Sequence, residues 1–579
     1  IESVIAHEYF HNWSGNRITC RDWFQLSLKE GLTVFRDQSF TADLHSAAVK
    51  RIEDVAMLRN TQFREDAGPT AHPVKPAEYQ AIDNFYTTTI YEKGAELIRM
   101  LHTLLGQERF MRGMATYVSR FDGTAATTED FVQSIVDGAA QDGQPLGFDS
   151  ERFKRWYHQA GTPELTVQRQ WDAVKGELTL ELRQSTPPTP GQTEKQPLVL
   201  PIAVALVGEK GRIGEEQLLV MDGDQASLTL QGDPGSAAPA LSLLRRFSAP
   251  VNVQLEQSLQ ESLQLLAHDD DPFSRWDAGQ RLARQVLLAR ASGEPDATVE
   301  AALIQALRQR LNAFDGGGGQ DLAVLLALPG TAELEALQNP VDPPALYAAR
   351  REWIAELGRQ LADPLNQLLD VCRGEWPQAW PAGQGARSLT GLAWSWLVAA
   401  GDAEARNQTL EAVSGPSMTL ARAALRALQP LDVGERDQAL DCFYQRWQDK
   451  PVILDAWFGM EASAPFGDGI TRADALLEDP AFDPNAPNSL RAVLGGFGRC
   501  AEHFHRSDGR GYQWMAQQLV AVDQRNPIAA SRMLKLFMGW RRYSPERQQL
   551  MRSSLEWLAE NLTSPNSKEV VMLCLGAAE

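Results

Sequence analysis

Two histidines and two glutamates near the start of the chain have the types and spacing needed to hold a metal ion. His7, Glu8 and His11 form an H-E-x-x-H motif over residues 7–11. On a helix, positions i and i+4 lie on one face, so both imidazoles can reach one metal. Eighteen residues separate His11 from Glu30, whose carboxylate, on a following helix, could complete a two-His-one-Glu set. Three protein ligands and a water are usual at catalytic zinc, so we predict one Zn²⁺ per chain.

These residue types suit hydrolysis of a carbonyl compound. Zinc held by two imidazoles and one carboxylate lowers the pKa of a water and polarises a carbonyl, while Glu8 can act as general base. The tetrahedral intermediate also needs an oxyanion donor, and a phenol would serve. Tyr86 and Tyr91 are the nearest candidates, and spacing alone does not choose between them. The alternative is two surface histidines on an amphipathic helix.

Two further sets of residues have competing interpretations. Asp37 lies two turns beyond Glu30 on the same helix face, where it could orient a ligand histidine or be a solvated charge. His503-x-His505 lacks a nearby carboxylate cluster, so we interpret it as a surface pair.

Composition excludes some partners and suggests a compartment. The 579 residues carry a net charge of −20, which argues against nucleic acid or an anionic membrane as the main partner. Five scattered cysteines without a C-x-x-C pair fit a reducing compartment, so a cytoplasmic location is predicted. No apolar run approaches the ~18 residues that span a bilayer. The chain begins with Ile1 inside the motif segment, and we expect it to be the C-terminal part of a longer protein.

The elements that must position these side chains are mostly helical. Residues 1–157 show helical patterns, including one from Ser3 to Trp13 and one from Phe24 to Leu44, and a third that ends near Gly106. Within residues 158–254, a stretch of alternating apolar and polar residues and an apolar run of strand length predict a small β-sandwich. Residues 255–579 return to helices without a fixed repeat, which predicts an irregular, solenoid-like stack. The predicted fold class is mainly α with a small all-β domain.

The motifs together resemble a known family. His7–Trp13, Arg21–Thr33, Asn84–Tyr86 and Tyr91–Ala95 strongly resemble the zinc aminopeptidases of the aminopeptidase N (alanyl aminopeptidase) type. The resemblance continues through Glu194–Leu198 and Phe247–Val251, and looks closest to the bacterial cytosolic branch. It covers most of the chain.

The resemblance implies a role for each candidate. It makes His7, His11 and Glu30 the zinc ligands, Glu8 the general base and Tyr91, before E-K-G, the transition-state donor. Tyr86 is then expected near the substrate cleft, with a packed aromatic as the alternative. Arg491 and Arg532 resemble arginines that meet the carboxylate end of a peptide, with surface charges as the alternative.

The resemblance also implies a fold and a substrate class. Residues 1–157 would be the helical half of a thermolysin-like domain. Its sheet half, and the G-A-M-E-N motif that grips a substrate's free amine, are expected upstream. The implied activity is removal of N-terminal residues from short peptides by a monomer, and this chain alone is expected to be inactive. The alternatives are a zinc endopeptidase and, for the truncated chain, a non-catalytic helical interaction module.

Overall fold

The computed structural model describes residues 1–79 and 81–576. The chain divides into two compact units, Ile1–Leu282 and Ala283–Glu579. The first unit contains the motif residues and all the strands. Among the described residues, every helix is either too short or too polar to cross a membrane.

The helices of the first unit precede and follow its strands. They are α1 (Glu2–Phe10), α2 (Leu26–Leu44), α3 (Ala47–Asp66), α4 (Gly94–Phe121), α5 (Thr128–Ala139), α6 (Ser150–Phe153), α7 (Arg155–His158), α8 (Leu259–His268) and α9 (Pro272–Ala291), which begins in this unit. Short 3₁₀ turns lie at Trp23–Gln25, Ile82–Phe85, Ala140–Asp142 and Arg245–Phe247, and a π-helical turn spans Thr89–Lys93.

Local sequence signals explain several helix boundaries. Thr127 caps α5 through a capping box with Asp130, and Ser46 caps α3 by accepting from Val49 N–H. The expectation that a helix ends near Gly106 is only partly right. Gly106 adopts φ +74° and interrupts α4, but helical turns resume after it and continue to Phe121.

The strands form a small β-sandwich and one isolated pair. They are β1 (Thr19–Cys20), β2 (Ala125–Ala126), β3 (Glu164–Asp172), β4 (Glu177–Ser185), β5 (Leu200–Gly208), β6 (Gly211–Met221), β7 (Gln225–Gln231), β8 (Ala240–Leu243) and β9 (Asn252–Gln254). One sheet has the order β7-β4-β3-β9 and the other β6-β5-β8, while β1 pairs with β2. Leu178, Leu180 and Leu182 of β4 are buried, as their alternation with polar residues predicts.

The helices around the motif and the sandwich share one apolar core. Buried Phe131 of α5 and Trp156 of α7 belong to the same cluster as Leu180 of β4 and Leu200 of β5. Trp156 also donates its indole N–H to the carbonyl of Val199 at 2.9 Å. The sandwich therefore supports the helices that position the site.

The outer face of α1 is apolar and exposed. Val4, Ile5 and Tyr9 are 58%, 63% and 70% exposed, and Ile1 is fully open to solvent. Such a stripe on a helix normally packs against other protein. The inner face of the same helix carries His7 and the buried Ala6, and the buried His11 follows as its C-cap.

Among the described residues of the second unit, the regular elements are α-helices and two 3₁₀ turns, Lys535–Phe537 and Trp540–Arg542. After the end of α9 it contains α10 (Ala297–Asn312), α11 (Gly319–Leu326), α12 (Thr331–Leu337), α13 (Pro343–Gln360), α14 (Ala362–Arg373), α15 (Gln384–Ala399), α16 (Ala403–Ser414), α17 (Met418–Leu428), α18 (Gly434–Trp447), α19 (Pro451–Ala462), α20 (Gly469–Leu477), α21 (Pro487–Arg499), α22 (Ala501–Phe504), α23 (Arg510–Asp523), α24 (Pro527–Leu534), α25 (Pro545–Asn561) and α26 (Pro565–Gly576).

The predicted fold class, mainly α with one small sandwich, is confirmed. The surface interpretation of the His503-x-His505 pair is wrong, because both side chains are buried. His503 Nε2 lies 3.0 Å from the carbonyl oxygen of Ala464, and His505 Nδ1 lies 2.8 Å from the hydroxyl of Tyr512. Both histidines are satisfied core residues.

Candidate active site

Helix α1 presents both histidines of the motif to the first half of α2. The imidazole centroids of His7 and His11 lie 4.6 Å apart, and their Nε2 atoms lie 3.4 and 3.2 Å from Glu30 Oε2. One ligand atom from each side chain lies within 4.8 Å of the others. The structure thus brings the three predicted ligands together, and their role as ligands stays a prediction.

The turn between α1 and α2 is fixed by local hydrogen bonds. Asn16 N–H donates to the carbonyl of His11 at 2.9 Å, and Ile18 N–H to that of Trp13 at 3.1 Å. Asp22 then caps the 3₁₀ turn before α2 by accepting from Phe24 N–H at 3.1 Å. These bonds set where α2 begins and therefore where Glu30 meets α1.

Glu30 has the environment of a carboxylate that binds a cation. Its side chain is 2% exposed, and its Oε1 accepts from Lys29 Nζ at 2.5 Å. Its Oε2 is buried and meets no donor with hydrogen-bond geometry among the described residues. An unpaired buried oxygen is costly, whereas a cation between it and two imidazole nitrogens would satisfy it. Two nitrogens and one oxygen suit zinc, so the residues present fit this metal.

The two groups titrate in opposite directions. Burial lowers the pKa of His7, but the hydrogen bond to Asp37 and the nearby Glu30 carboxylate outweigh burial and raise that pKa to about 9. Burial raises the pKa of Glu30, but the nearby nitrogens of both histidines and of Lys29 hold that pKa well below its usual range. Glu30 is therefore a carboxylate at neutral pH. Because metal ligands must be deprotonated, a bound cation would replace the proton on His7.

Each histidine is oriented by a hydrogen-bond contact at its Nδ1 atom. His7 Nδ1 lies 2.7 Å from Asp37 Oδ2. His11 Nδ1 lies 2.9 Å from the carbonyl oxygen of Ser14 and 3.2 Å from Thr33 Oγ1. With Nδ1 donating in both rings, Nε2 is the nitrogen left to bind a metal once each ring is neutral, and both Nε2 atoms face Glu30. Asp37 was a sequence candidate, whereas Ser14 and Thr33 were missed, since a backbone carbonyl and a lone threonine have no sequence signal.

Tyr91 lies beside His7, one of the predicted ligands, in the middle of the π-helical turn Thr89–Lys93. Its ring stacks near that of His7, with centroids 6.4 Å apart and planes 16° from parallel. Burial, and then the charge of Glu30, raise the pKa of Tyr91 well above its ordinary value. The phenol therefore stays protonated and can donate a hydrogen bond.

A close helix crossing sets the distance between Glu30 and Tyr91. Gly31, next to Glu30, and Gly94, at the start of α4, approach so closely that a Cβ on Gly31 would meet Gly94 C at 2.9 Å. A Cβ on Gly94 would meet Ser27 Oγ at 2.2 Å. Ser27 Oγ also donates to the carbonyl of Ile90 at 2.9 Å. Larger residues would push α2 and the tyrosine turn apart.

Glu8 and Tyr86 lie near Tyr91. Glu8 is exposed on α1 next to His7, and its charge adds to the rise in the pKa of Tyr91. Tyr86 follows the 3₁₀ turn Ile82–Phe85 and is 38% exposed. Its charge also contributes to the raised pKa of Tyr91. Glu8 thus has the solvent access that a general base for water requires.

The two candidate arginines lie in the second unit. Arg491 on α21 and Arg532 on α24 are both exposed. Arg491 Nη2 donates to Asn488 Oδ1 at 2.8 Å. Their predicted contact with a peptide carboxylate stays a prediction.

Comparison with known families assigns the chain in three consecutive pieces. Residues 1–151 match the peptidase family M1 domain. Residues 161–256 match a domain of unknown function with an Ig-like fold, and residues 259–576 match a second domain of unknown function with ARM repeats.

Similar proteins cover nearly the whole chain. Aminopeptidase N of Caulobacter vibrioides is 42% identical over 100% of this chain and 66% of its own length. Aminopeptidase N of Escherichia coli is 38% identical over 97% of this chain and 65% of its own length. The crystal structure of Legionella pneumophila aminopeptidase A in complex with aspartic acid superposes with a TM-score of 0.87 at 28% identity. It covers 100% of this chain and 66% of that one. The chain spans about two thirds of the length of these relatives.

Proposed function

Because the chain belongs to the aminopeptidase N family of M1 peptidases, we propose that the protein is a zinc aminopeptidase that removes N-terminal residues from short peptides. His7, His11 and Glu30 would hold one Zn²⁺. The observation that carries this proposal is the convergence of their ligand atoms within 4.8 Å around the unpaired Glu30 Oε2. Buried polar atoms are normally paired, so this arrangement favours a bound cation over a purely structural cluster.

Each side chain then has a distinct task. When bound, zinc polarises the scissile carbonyl and lowers the pKa of a water. Glu8 takes a proton from the attacking water and delivers it to the leaving amine. Tyr91 donates its phenolic proton in a hydrogen bond to the oxygen that gains negative charge. Asp37 holds the His7 ring in the orientation that exposes Nε2.

Recognition of peptide ends extends the proposal to other residues. Tyr86 would lie along the bound peptide, since it is partly exposed and close to Tyr91. Arg491 and Arg532 would meet a peptide carboxylate, and the proposed substrates are short peptides rather than folded proteins. We assign the same protein to a reducing, cytoplasmic compartment, because all five cysteines are unpaired, and expect a monomer.

The experiment that tests the proposal compares two substrates of the intact protein. An aminoacyl p-nitroanilide with a free α-amine should be hydrolysed, and the same compound with an N-acetyl group should not. Hydrolysis of the unblocked compound should vanish with a chelator and return with one equivalent of zinc. Faster cleavage of blocked internal peptides would identify an endopeptidase instead. A protein that retains no zinc would favour a non-catalytic interaction module.

A further inference from the structure

The turn that carries Tyr91 has an unusual backbone. Residues Thr89–Lys93 form a π-helical turn that leads directly into α4. A π turn holds one more residue than an α turn, and each residue of an α-helix advances by about 100° around the axis. If this turn relaxed to α geometry, the Tyr91 side chain would rotate by roughly that angle relative to α4. Something must therefore hold the turn in its π form.

The last two residues of α3 provide that support. Glu65 Oε1 accepts hydrogen bonds from both Thr89 N–H at 2.9 Å and Thr89 Oγ1 at 2.7 Å. Gln62, one turn earlier on α3, donates to the same Thr89 hydroxyl at 3.3 Å. The first residue of the π turn is thus tied to α3 through backbone and side chain.

Asp66 holds the other end of the turn. Its Oδ2 accepts from Lys93 Nζ at 2.8 Å and from Thr162 Oγ1 at 2.9 Å. Lys93 Nζ also donates to the carbonyl of Gly161 at 2.9 Å and lies 5.8 Å from the centre of the Trp156 ring. The side chains of Lys93 and Asp66 are each 1% exposed. The last residue of the π turn is thus tied to α3 and to the segment that leads into the sandwich.

This arrangement adds little to stability. Carboxylates at the C-terminal end of a helix oppose its dipole, and a buried ion pair roughly offsets its own desolvation. The buried pair instead restricts the turn to one conformation, because any other would leave Asp66 or Lys93 buried and unpaired. Tyr91 lies midway between the two anchored residues.

We propose that Glu65 and Asp66, acting through Thr89 and Lys93, are positioning residues that hold Tyr91 where its phenol meets the reacting carbonyl. This inference rests on the proposed aminopeptidase function. Both carboxylates act on the rate through the direction of the Tyr91 side chain.

The test is a pair of neutral replacements in the intact protein. Asp66→Asn with Lys93→Met removes both charges, so neither is left buried alone. We expect kcat to fall about 10²-fold, the cost of a misplaced catalytic group, with KM and zinc content unchanged. Lys75→Met with Glu129→Gln removes a Lys-carboxylate pair, 2.6 Å apart, that does not contact the turn, and should leave kcat unchanged.

A combination with Tyr91→Phe separates positioning from a general loss of structure. If Asp66 and Lys93 act through the Tyr91 phenol, adding Asp66→Asn and Lys93→Met to the Tyr91→Phe variant should cause no further loss of kcat. Glu65→Gln, which keeps an oxygen for Thr89, should retain most of the activity that Glu65→Ala loses. Additive losses in the Tyr91→Phe background, or parallel losses of zinc, would overturn the inference. A wild-type protein without zinc-dependent hydrolysis would overturn the proposed function and this inference together, and additive losses in an active enzyme overturn only the inference.

Discussion

Asp37 Oδ2 lies 2.7 Å from His7 Nδ1, so a carboxylate on α2 fixes the ring of a histidine on α1. Glu30, seven residues earlier on α2, approaches the opposite nitrogen of the same ring. One face of α2 thus carries one proposed ligand, Glu30, and also orients another, His7. The geometry of His7 depends on the register of a single helix.

Asp37→Asn should therefore weaken zinc binding. The amide cannot match the charge of the carboxylate behind His7, and loss of such a partner typically costs 10- to 100-fold in metal affinity. Competition with a chromogenic chelator measures this change. Asp43→Asn, an exposed position on the same helix, is the control and should bind zinc as the wild type does. Equal affinity of the Asp37 variant would make that carboxylate a structural charge only.

Glu8→Gln should retain one equivalent of zinc and lose nearly all hydrolysis. The amide keeps the size of the side chain but cannot accept a proton from water, and general acid–base catalysis contributes about 10²- to 10⁴-fold. Metal analysis and steady-state rates on an aminoacyl p-nitroanilide check the two halves of the prediction. Activity close to that of the wild type would remove Glu8 from its assigned role.

Tyr91→Phe should lower kcat by about 10²- to 10³-fold, because an oxyanion donor acts mainly in the transition state. KM and zinc content should change little. Tyr86→Phe is the matched control, since it deletes the hydroxyl of the other nearby tyrosine and should leave kcat largely intact. A change confined to KM in Tyr91→Phe would identify a binding residue instead.

The elements that sequence could predict are those whose signal is local. The i, i+4 spacing of His7 and His11 places both side chains on one face. The Thr127–Asp130 capping box is likewise a local signal, and it stands at the start of α5. Leu178, Leu180 and Leu182 predict β4 by alternation.

Other features depend on distant parts of the chain. Strand β3 and the first half of β6 carry many polar residues, and they become strands by pairing with β4 and β5. The π turn at Thr89–Lys93 depends on Glu65 and Asp66, more than twenty residues away. The contact of His11 with the Ser14 carbonyl has no residue-type signal at all.

Glu92 should make stability depend on pH. Burial, followed by the charge of Asp54, raises the pKa of Glu92 to about 7 from 4.5, with Asp37 and Glu96 adding to the rise and Lys50 opposing it. The folded state therefore binds this proton more tightly than the unfolded state, and stability falls as pH rises from about 4.5 through 7.

Glu92→Gln should remove that fall. The free energy of unfolding of the variant, relative to that of the wild type, should increase by about 2 kcal/mol from pH 5 to pH 8. This value allows for the partial exposure of the Glu92 carboxyl. Urea unfolding at the two pH values measures the difference. Glu108→Gln on α4, with a side chain 88% exposed, should follow the wild type at both. If the Glu92→Gln variant showed the same pH dependence of stability as the wild type, the Glu92 carboxyl would titrate near its ordinary pKa.

Gly94→Ala should damage the site, and a second substitution should repair it. The added Cβ would meet Ser27 Oγ at 2.2 Å, whereas the next contacts, Gly31 Cα and Ser27 Cβ, lie at 3.2 and 3.5 Å. The clash would separate α2 from the turn that carries Tyr91, so we expect kcat to fall. The free energy of unfolding should also fall by roughly 1 to 3 kcal/mol, as for an overpacked core.

Ser27→Ala removes the clashing oxygen, and the double variant should therefore recover most of the stability and activity that Gly94→Ala loses. Ser27→Ala alone should cost about 1 kcal/mol through its hydrogen bond to the Ile90 carbonyl. Gly434→Ala, at the start of α18 with nothing within 4 Å of its Cβ, is the control for helix propensity and should be neutral or slightly stabilising. Because the rescue requires contact between these two atoms, failure of Ser27→Ala to restore activity would show that the Gly94 contact does not set the distance between Glu30 and Tyr91.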